Sequence, residues 1–290
     1  MDSCRSFGQG ENRSKHPVRG CRHAKAVTPG APLWKLLGRL TWGRRRVGPR
    51  GVFRFGVLMA LLAGTAAPSP AAGLEQRAVG PEINAYYANP DFDRWRATFE
   101  RSGREVFDRR AEILAATGVR PGWAVADVGA GTGLFTLLIA RAVQPDGTVF
   151  AVDISPGFVD GILQRAQGQG LENVRGVVNS QTDVRLADGS IDLAFACDTY
   201  HHFEYPASML ASLWRALRPG GYLVLIDYRR APGVNAPWVL GHVRAGRDQV
   251  VREVTEAGFE LADEQDLLRE SYFLRFRKPV RTMPSASSGD

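Results

Sequence analysis

Residues 125–140, VADVGAGTGLFTLLIA, constrain the fold more than any other stretch of the chain. A short apolar run closes on Asp127 and Val128, glycines follow at 129, 131 and 133, and apolar residues at helical spacing resume at Leu134. A strand that breaks into glycines and restarts as a helix is the first turn of an open parallel sheet. Ligands of such sheets sit beyond the carboxyl ends of the strands, and glycine lets the backbone approach them closely. Spacing then separates the cofactors. A dinucleotide fingerprint needs glycine or alanine three residues after Gly131, and that position is Leu134. The pattern is instead D-x-G-x-G-x-G, which disfavours a nicotinamide oxidoreductase.

The surrounding chain alternates short apolar runs with helical patterns. Strands are expected at 123–128, 148–153, 173–178, 191–197 and 221–228, and helices at 133–143, 156–168 and 206–217. This alternation argues for a parallel sheet with helices on both faces. Residues 91–118 space Phe92, Trp95, Phe99, Val106, Ile113 and Leu114 as one or two helices that stop at Gly118. A helix over 246–257 and strands near 259–264 and 271–277 close the pattern, so a single domain over 75–280 is the economical reading.

Asp153 ends the second expected strand, in TVFAVDIS, twenty residues beyond Gly133. A carboxylate there can accept hydrogen bonds from both hydroxyls of a ribose; its competing role is to cap the helix that begins near Ser155-Pro156. At this point the sequence resembles the class I S-adenosylmethionine (SAM)-dependent methyltransferases. The resemblance covers roughly residues 100–278 and rests on four stretches in order: VADVGAGTG, AVDIS, LADGSIDLAFACDTYHHF and LWRALRPGGYLVLIDY. It is similar to the small-molecule branch that includes the quinone-biosynthesis enzymes. The resemblance implies a Rossmann-like seven-stranded α/β sheet, mostly parallel with an antiparallel last strand. It also implies SAM as cofactor, with Asp127, Gly129, Gly131 and Gly133 near the methionine moiety, Asp153 on the ribose, and Ile154 and Cys197 along the same cofactor wall. Family members place an acid shortly after the third strand to meet the adenine amino group. Here Ser180 occupies that position, with Gln181 or Asp183 as substitutes.

The loop CDTYHHFEYP, residues 197–206, follows the fourth strand where cofactor and substrate both reach it. Tyr200, His201 and His202 are therefore the candidate catalytic groups. Methyl transfer from a sulfonium is an in-line displacement, so a base is needed only when the nucleophile carries a proton. His201 or His202 can be that base, or the pair can simply pack and bond to backbone. Neighbouring histidines on a continuing strand point to opposite faces, and no metal site is expected. After the fifth strand, IDYRRAPGVNAPWVLGHVRAGRDQ is longer than a crossover requires. It reads as a lid whose arginines can pair with an anionic acceptor or remain solvated.

Charge divides the chain in two. Residues 1–71 carry 13 Lys/Arg against 2 Asp/Glu, while the other 219 residues carry 24 against 28. The expected domain is mildly acidic, which argues against a nucleic-acid partner. Of three cysteines, Cys4 and Cys21 lie in the leading part and Cys197 alone in the domain, so no intradomain disulfide is possible. Residues 1–50 have no apolar period and read as a disordered basic extension. Within 51–71, following the arginines from Arg44, an apolar run from Val57 to Ala67 and small residues up to Ala71 have the layout of a signal peptide or short membrane anchor. Export or envelope association is expected if that leader functions, and a cytoplasmic location if it does not. Residues 281–290 read as a flexible tail. A catalytically silent SAM-binding module, associated with the envelope, is the alternative to an enzyme acting on a small molecule.

Overall fold

The computed structural model describes residues 75–280, all within one of the two units into which the chain divides, Ala67–Asp290. The expected basic extension, signal-like segment and tail lie outside the described residues. Four short helices lead in: α1 (Glu82–Ala85), α2 (Phe92–Phe99), α3 (Glu105–Asp108) and α4 (Arg110–Thr117). The alternating body follows as β1 (Ala124–Val128), α5 (Leu134–Ala142), β2 (Thr148–Asp153), α6 (Pro156–Gly168), β3 (Val174–Val178) and β4 (Ile191–Cys197). After a 3-10 turn at Tyr200–His202 come α7 (Pro206–Ala216), β5 (Leu217–Tyr228), α8 (Pro237–His242), α9 (Arg247–Glu256), β6 (Glu260–Gln265) and β7 (Ser271–Arg277).

The seven strands form one sheet in the order β3-β2-β1-β4-β5-β7-β6. Strands β1 to β5 pair in parallel, and β7 runs antiparallel to both β5 and β6. This is the Rossmann-like α/β architecture that the sequence implies. Strand β4 shows why the sheet is covered on both sides. Leu193 and Phe195 pack with Ile113, Leu137 and Ile162 of α4, α5 and α6 on one face. Ala194 and Ala196 pack with Leu210, Leu213, Val250 and Val254 of α7 and α9 on the other. All four strand residues are at most 1% exposed, as a central parallel strand requires. Strand order reverses between β1 and β4, and a ligand crevice opens at such a reversal.

Three differences from the sequence reading have physical causes. Residues 91–118 form three helices rather than one or two, because Gly103 adopts φ +86 between α2 and α3 and Arg109, at φ −98 and ψ 16, leaves the helical region between α3 and α4. The fifth strand begins at Leu217, not 221: Leu217 pairs with Ile191 before a register shift lets the Pro219-Gly220 segment pass and pairing resume at Tyr222. The expected lid contains α8, started by Pro237 at a position where the missing N–H costs nothing. Among the described residues no helix is long and apolar enough to cross a membrane.

Candidate functional site

A cleft of about 470 Å³ lies over the carboxyl ends of β1, β2, β4 and β5, within the range of small-molecule sites. Its floor begins at the glycine turn. A Cβ on Gly129 would stand 2.2 Å from Cγ2 of Thr199, and Gly131 sits at φ +55 with its backbone against Phe99. A side chain would collide with Thr199 at Gly129 and would be strained by the left-handed φ at Gly131, which keeps the backbone open to the cleft. Gly133, at φ +82, turns the chain into α5 and does not line the cleft.

The second-strand acid is tied to this turn. Asp153 accepts the Gly131 N–H on Oδ2 and the Ser155 N–H on Oδ1, both at 2.9 Å. Each oxygen retains a lone pair, so the carboxylate fastens the loop, helps start α6 and can still receive hydroxyls. Burial raises its pKa to about 6 against the pull of those N–H groups. Burial likewise raises Asp127 to about 7, although Thr136 Oγ1 donates to it at 2.6 Å. Ile154, Ser180, Gln181 and Cys197 also line the cleft, and burial pushes the Cys197 thiol well up. Gln181 donates from Nε2 to the buried Glu204 at 2.5 Å, which leaves its amide oxygen to accept. Asp183 is no substitute at this end, because its carboxylate faces Arg215 on the exterior.

At the other end, β4 stops at Cys197 and the chain coils into the 3-10 turn. The two histidines therefore do not diverge as they would on a continuing strand; their ring centroids lie 4.2 Å apart and both line the cleft. His201 Nδ1 stands 2.8 and 2.9 Å from the two oxygens of Asp227, a carboxylate at the end of β5 that also accepts the His201 and Tyr228 backbone N–H groups. Burial opposes charge on both groups, but each outweighs that cost for the other, so His201 is raised and Asp227 lowered from their ordinary values. Burial, aided by His201 and His242, pushes His202 down to about 3. Tyr200 departs from its expected place. It is buried in the core, donates to Glu253 at 2.6 Å and does not reach the cleft.

The lid arginines do not await an anion. Arg229 meets Asp266, Arg244 makes two bonds to Glu253, and Arg230 donates to the Val243 carbonyl. What this segment brings to the cleft is Tyr228, Ala236, Trp238, Val239 and His242.

Helices α1 to α3 roof the end of the cleft at the glycine turn. Tyr87 and Phe99 each lie 5.0 Å from Trp95, with Phe158 beneath. Glu100 accepts from Thr132 of the glycine turn and from Arg165 of α6. Arg104 reaches Asp198 at 2.6 Å; Asp198 holds the left-handed φ of +50, and its buried Oδ1 meets no partner among the described residues. Sequence spacing did not find Asp198, Glu204 or the roof aromatics as site residues, and it offered Asp227 only as part of the lid segment, not as the partner of His201. The positive φ and the 94-residue separation of Arg104 from Asp198 leave no local pattern.

Residues 126–225 match the methyltransferase domain family model. The chain is 36% identical over 119 residues to an uncharacterized 37.1 kDa protein in transposon TN4556 of Streptomyces fradiae, a match covering 40% of this chain and 33% of that one. It is 30% identical over 117 residues to the demethylmenaquinone methyltransferase of Symbiobacterium thermophilum, over 40% of this chain and 47% of the relative. The chain thus spans less than half the length of these curated relatives. In structure it is similar to a SAM dependent methyltransferase from Aquifex aeolicus, with a TM-score of 0.59 at 23% identity, covering 66% of this chain and all of that one. The glycine turn, its acidic partner and the strand order fit that cofactor, and residues 126–225 form a methyltransferase domain similar to those of the class I SAM-dependent family.

Proposed function

We propose that the protein transfers the methyl group of SAM to a small-molecule acceptor seated between the histidine turn and α8. One observation carries this reading: a single cleft runs from Asp153 and the glycine turn to His201 and His202. Bound there, SAM supplies an electrophilic methyl on a sulfonium. Asp153 receives the ribose hydroxyls, the Gly129 and Gly131 backbone and Asp127 flank the methionine moiety, and Gln181 with Ser180 meets the adenine edge beside Ile154. The Cys197 wall and the α1–α3 roof exclude water. His201, aligned by Asp227, and His202 face the acceptor, and the proton on its nucleophile is lost at this imidazole surface. The curated relative named for demethylmenaquinone does not fix the acceptor, because function resides in the site and not in the fold.

The test is calorimetry with SAM followed by methyl release over a metabolite extract. Binding with turnover supports the enzyme; binding without any turnover makes the protein the silent binding module. A pH dependence accompanies binding. The carboxylate form of Asp153 accepts the ribose, and its pKa near 6 means that protonation removes that form as pH falls. The SAM dissociation constant should rise about tenfold between pH 7 and pH 5. A flat profile over that interval would take Asp153 off the ribose.

Export or envelope association through residues 51–71 belongs to the same proposal, supported by the cationic, apolar and small-residue order of that segment. Intact-mass measurement of the native protein should find a chain beginning near Ala72. A cytosolic protein that keeps residues 1–71 ends the export reading and leaves the methyltransferase reading standing.

A further inference from the structure

The acceptor end of the cleft gathers three imidazoles where one proton transfer needs one. His201 and His202 come from the 3-10 turn and His242 from the end of α8, and each offers a ring nitrogen within 4.8 Å of the other two. Their ring centroids are 4.2, 5.1 and 5.2 Å apart. A tetrahedral ion about 2.0–2.1 Å from three imidazole nitrogens holds the ring centroids roughly 5 Å apart. His242 already stands at that separation from both partners, and His201 and His202 need only a small opening.

The partners of the rings point the same way. Asp227 occupies Nδ1 of His201, which leaves Nε2 to ligate and supplies the outer carboxylate that fixes the orientation of metal-bound histidines. Nδ1 of His202 is buried and meets no hydrogen-bond partner among the described residues, a cost that folded proteins ordinarily avoid. Three nitrogen ligands leave a further coordination position, and imidazole sets favour zinc, copper, nickel or iron over magnesium or calcium.

We infer that His201, His202 and His242 form a three-nitrogen site for a divalent transition metal, with its open position toward the acceptor. The inference rests on the proposed reading of this cleft as the acceptor site. With such an ion bound the imidazoles would act on the proton through the metal and not as bases: the ion would lower the pKa of an acceptor hydroxyl at the open position, and its proton would pass to solvent water before the methyl arrives.

The experiment uses full-length protein, freed of metal by a chelator and titrated with Zn2+ alone, beside His242→Ala and His242→Gln. Folding is checked by circular dichroism, and SAM affinity is measured on the same samples. The expected result is zinc binding by the parent protein that weakens at least about tenfold in both variants. Absence of zinc binding by the parent protein, or equal binding in a folded variant, overturns the site. Ions held instead by Cys4, Cys21, His16 or His23 would survive both substitutions and so give the overturning result. SAM affinity reports separately on the proposed function, and the zinc titration decides the metal site whichever way it falls.

Discussion

Replacing His201 with alanine should lower kcat by roughly 10²- to 10⁴-fold, the range for loss of a positioned group that acts on a proton, while SAM affinity stays near that of the parent protein. The ring is 3% exposed, faces the cleft and is anchored by two carboxylate oxygens on its far side, so its position is set by the fold and not by the ligand. The same burial makes alanine hazardous, because Asp227 would remain buried without its partner, a situation that costs about 3–5 kcal/mol. His201→Gln, which keeps volume and a donor toward Asp227, separates the effects. If both folded variants keep full turnover on any acceptor the parent protein methylates, His201 has no part in the chemistry. Asp227→Asn is expected to lower kcat through His201 with little change in the acceptor KM, a split that a purely structural loss would not produce.

Asp153→Ala should weaken SAM binding by about 1.5–3 kcal/mol, or roughly 10- to 150-fold, the scale of hydrogen bonds to a charged group. The upper part of the range is expected because the same carboxylate also holds the Gly131 N–H. Its removal therefore loosens the turn on which the methionine moiety would rest. Asp153→Asn keeps one acceptor oxygen and should fall between. Calorimetry on folded protein decides the matter: an unchanged dissociation constant would leave Asp153 a fastener of the loop with no ligand of its own.

Strands β2, β4 and β7 and helix α6 were legible in the sequence to the residue. Each is bounded by strong punctuation, such as Gly147 before β2 and Pro156 at the start of α6, and each carries an unbroken apolar pattern. The places of the glycine turn and Asp153 were legible for a related reason, since the twenty residues from Gly133 to Asp153 are one helix and one strand. Contacts between distant segments left no such trace. Reading CDTYHHFEYP as one loop grouped Tyr200 with the two histidines at the cleft, because nothing in CDTYHH announces the 3-10 turn that sends the tyrosine into the core and brings both imidazoles to the cleft. The arginines after β5 looked free to meet an anion because Asp266 and Glu253 lie 37 and 9 residues away along the chain. The start of β5 was missed because a proline and two glycines ordinarily end a strand, whereas here Leu217 pairs before them.

The roof over the cofactor end is the least embedded part of this architecture. Residues 82–108 contribute no strand to the sheet, and across α1, α2 and α3 only Val106 is fully buried. Lifting this segment breaks side-chain links, those of Glu100 to Arg165, Arg104 to Asp198, Asn84 to Glu204 and Glu105 to the Arg269 and Glu270 N–H groups among them, and exposes little of the core that holds the sheet together. Amide hydrogens in the roof should therefore exchange by local opening at a small fraction of the global unfolding free energy. Nucleoside entry and departure then become a fast local equilibrium, uncoupled from the thermal stability of the sheet beneath.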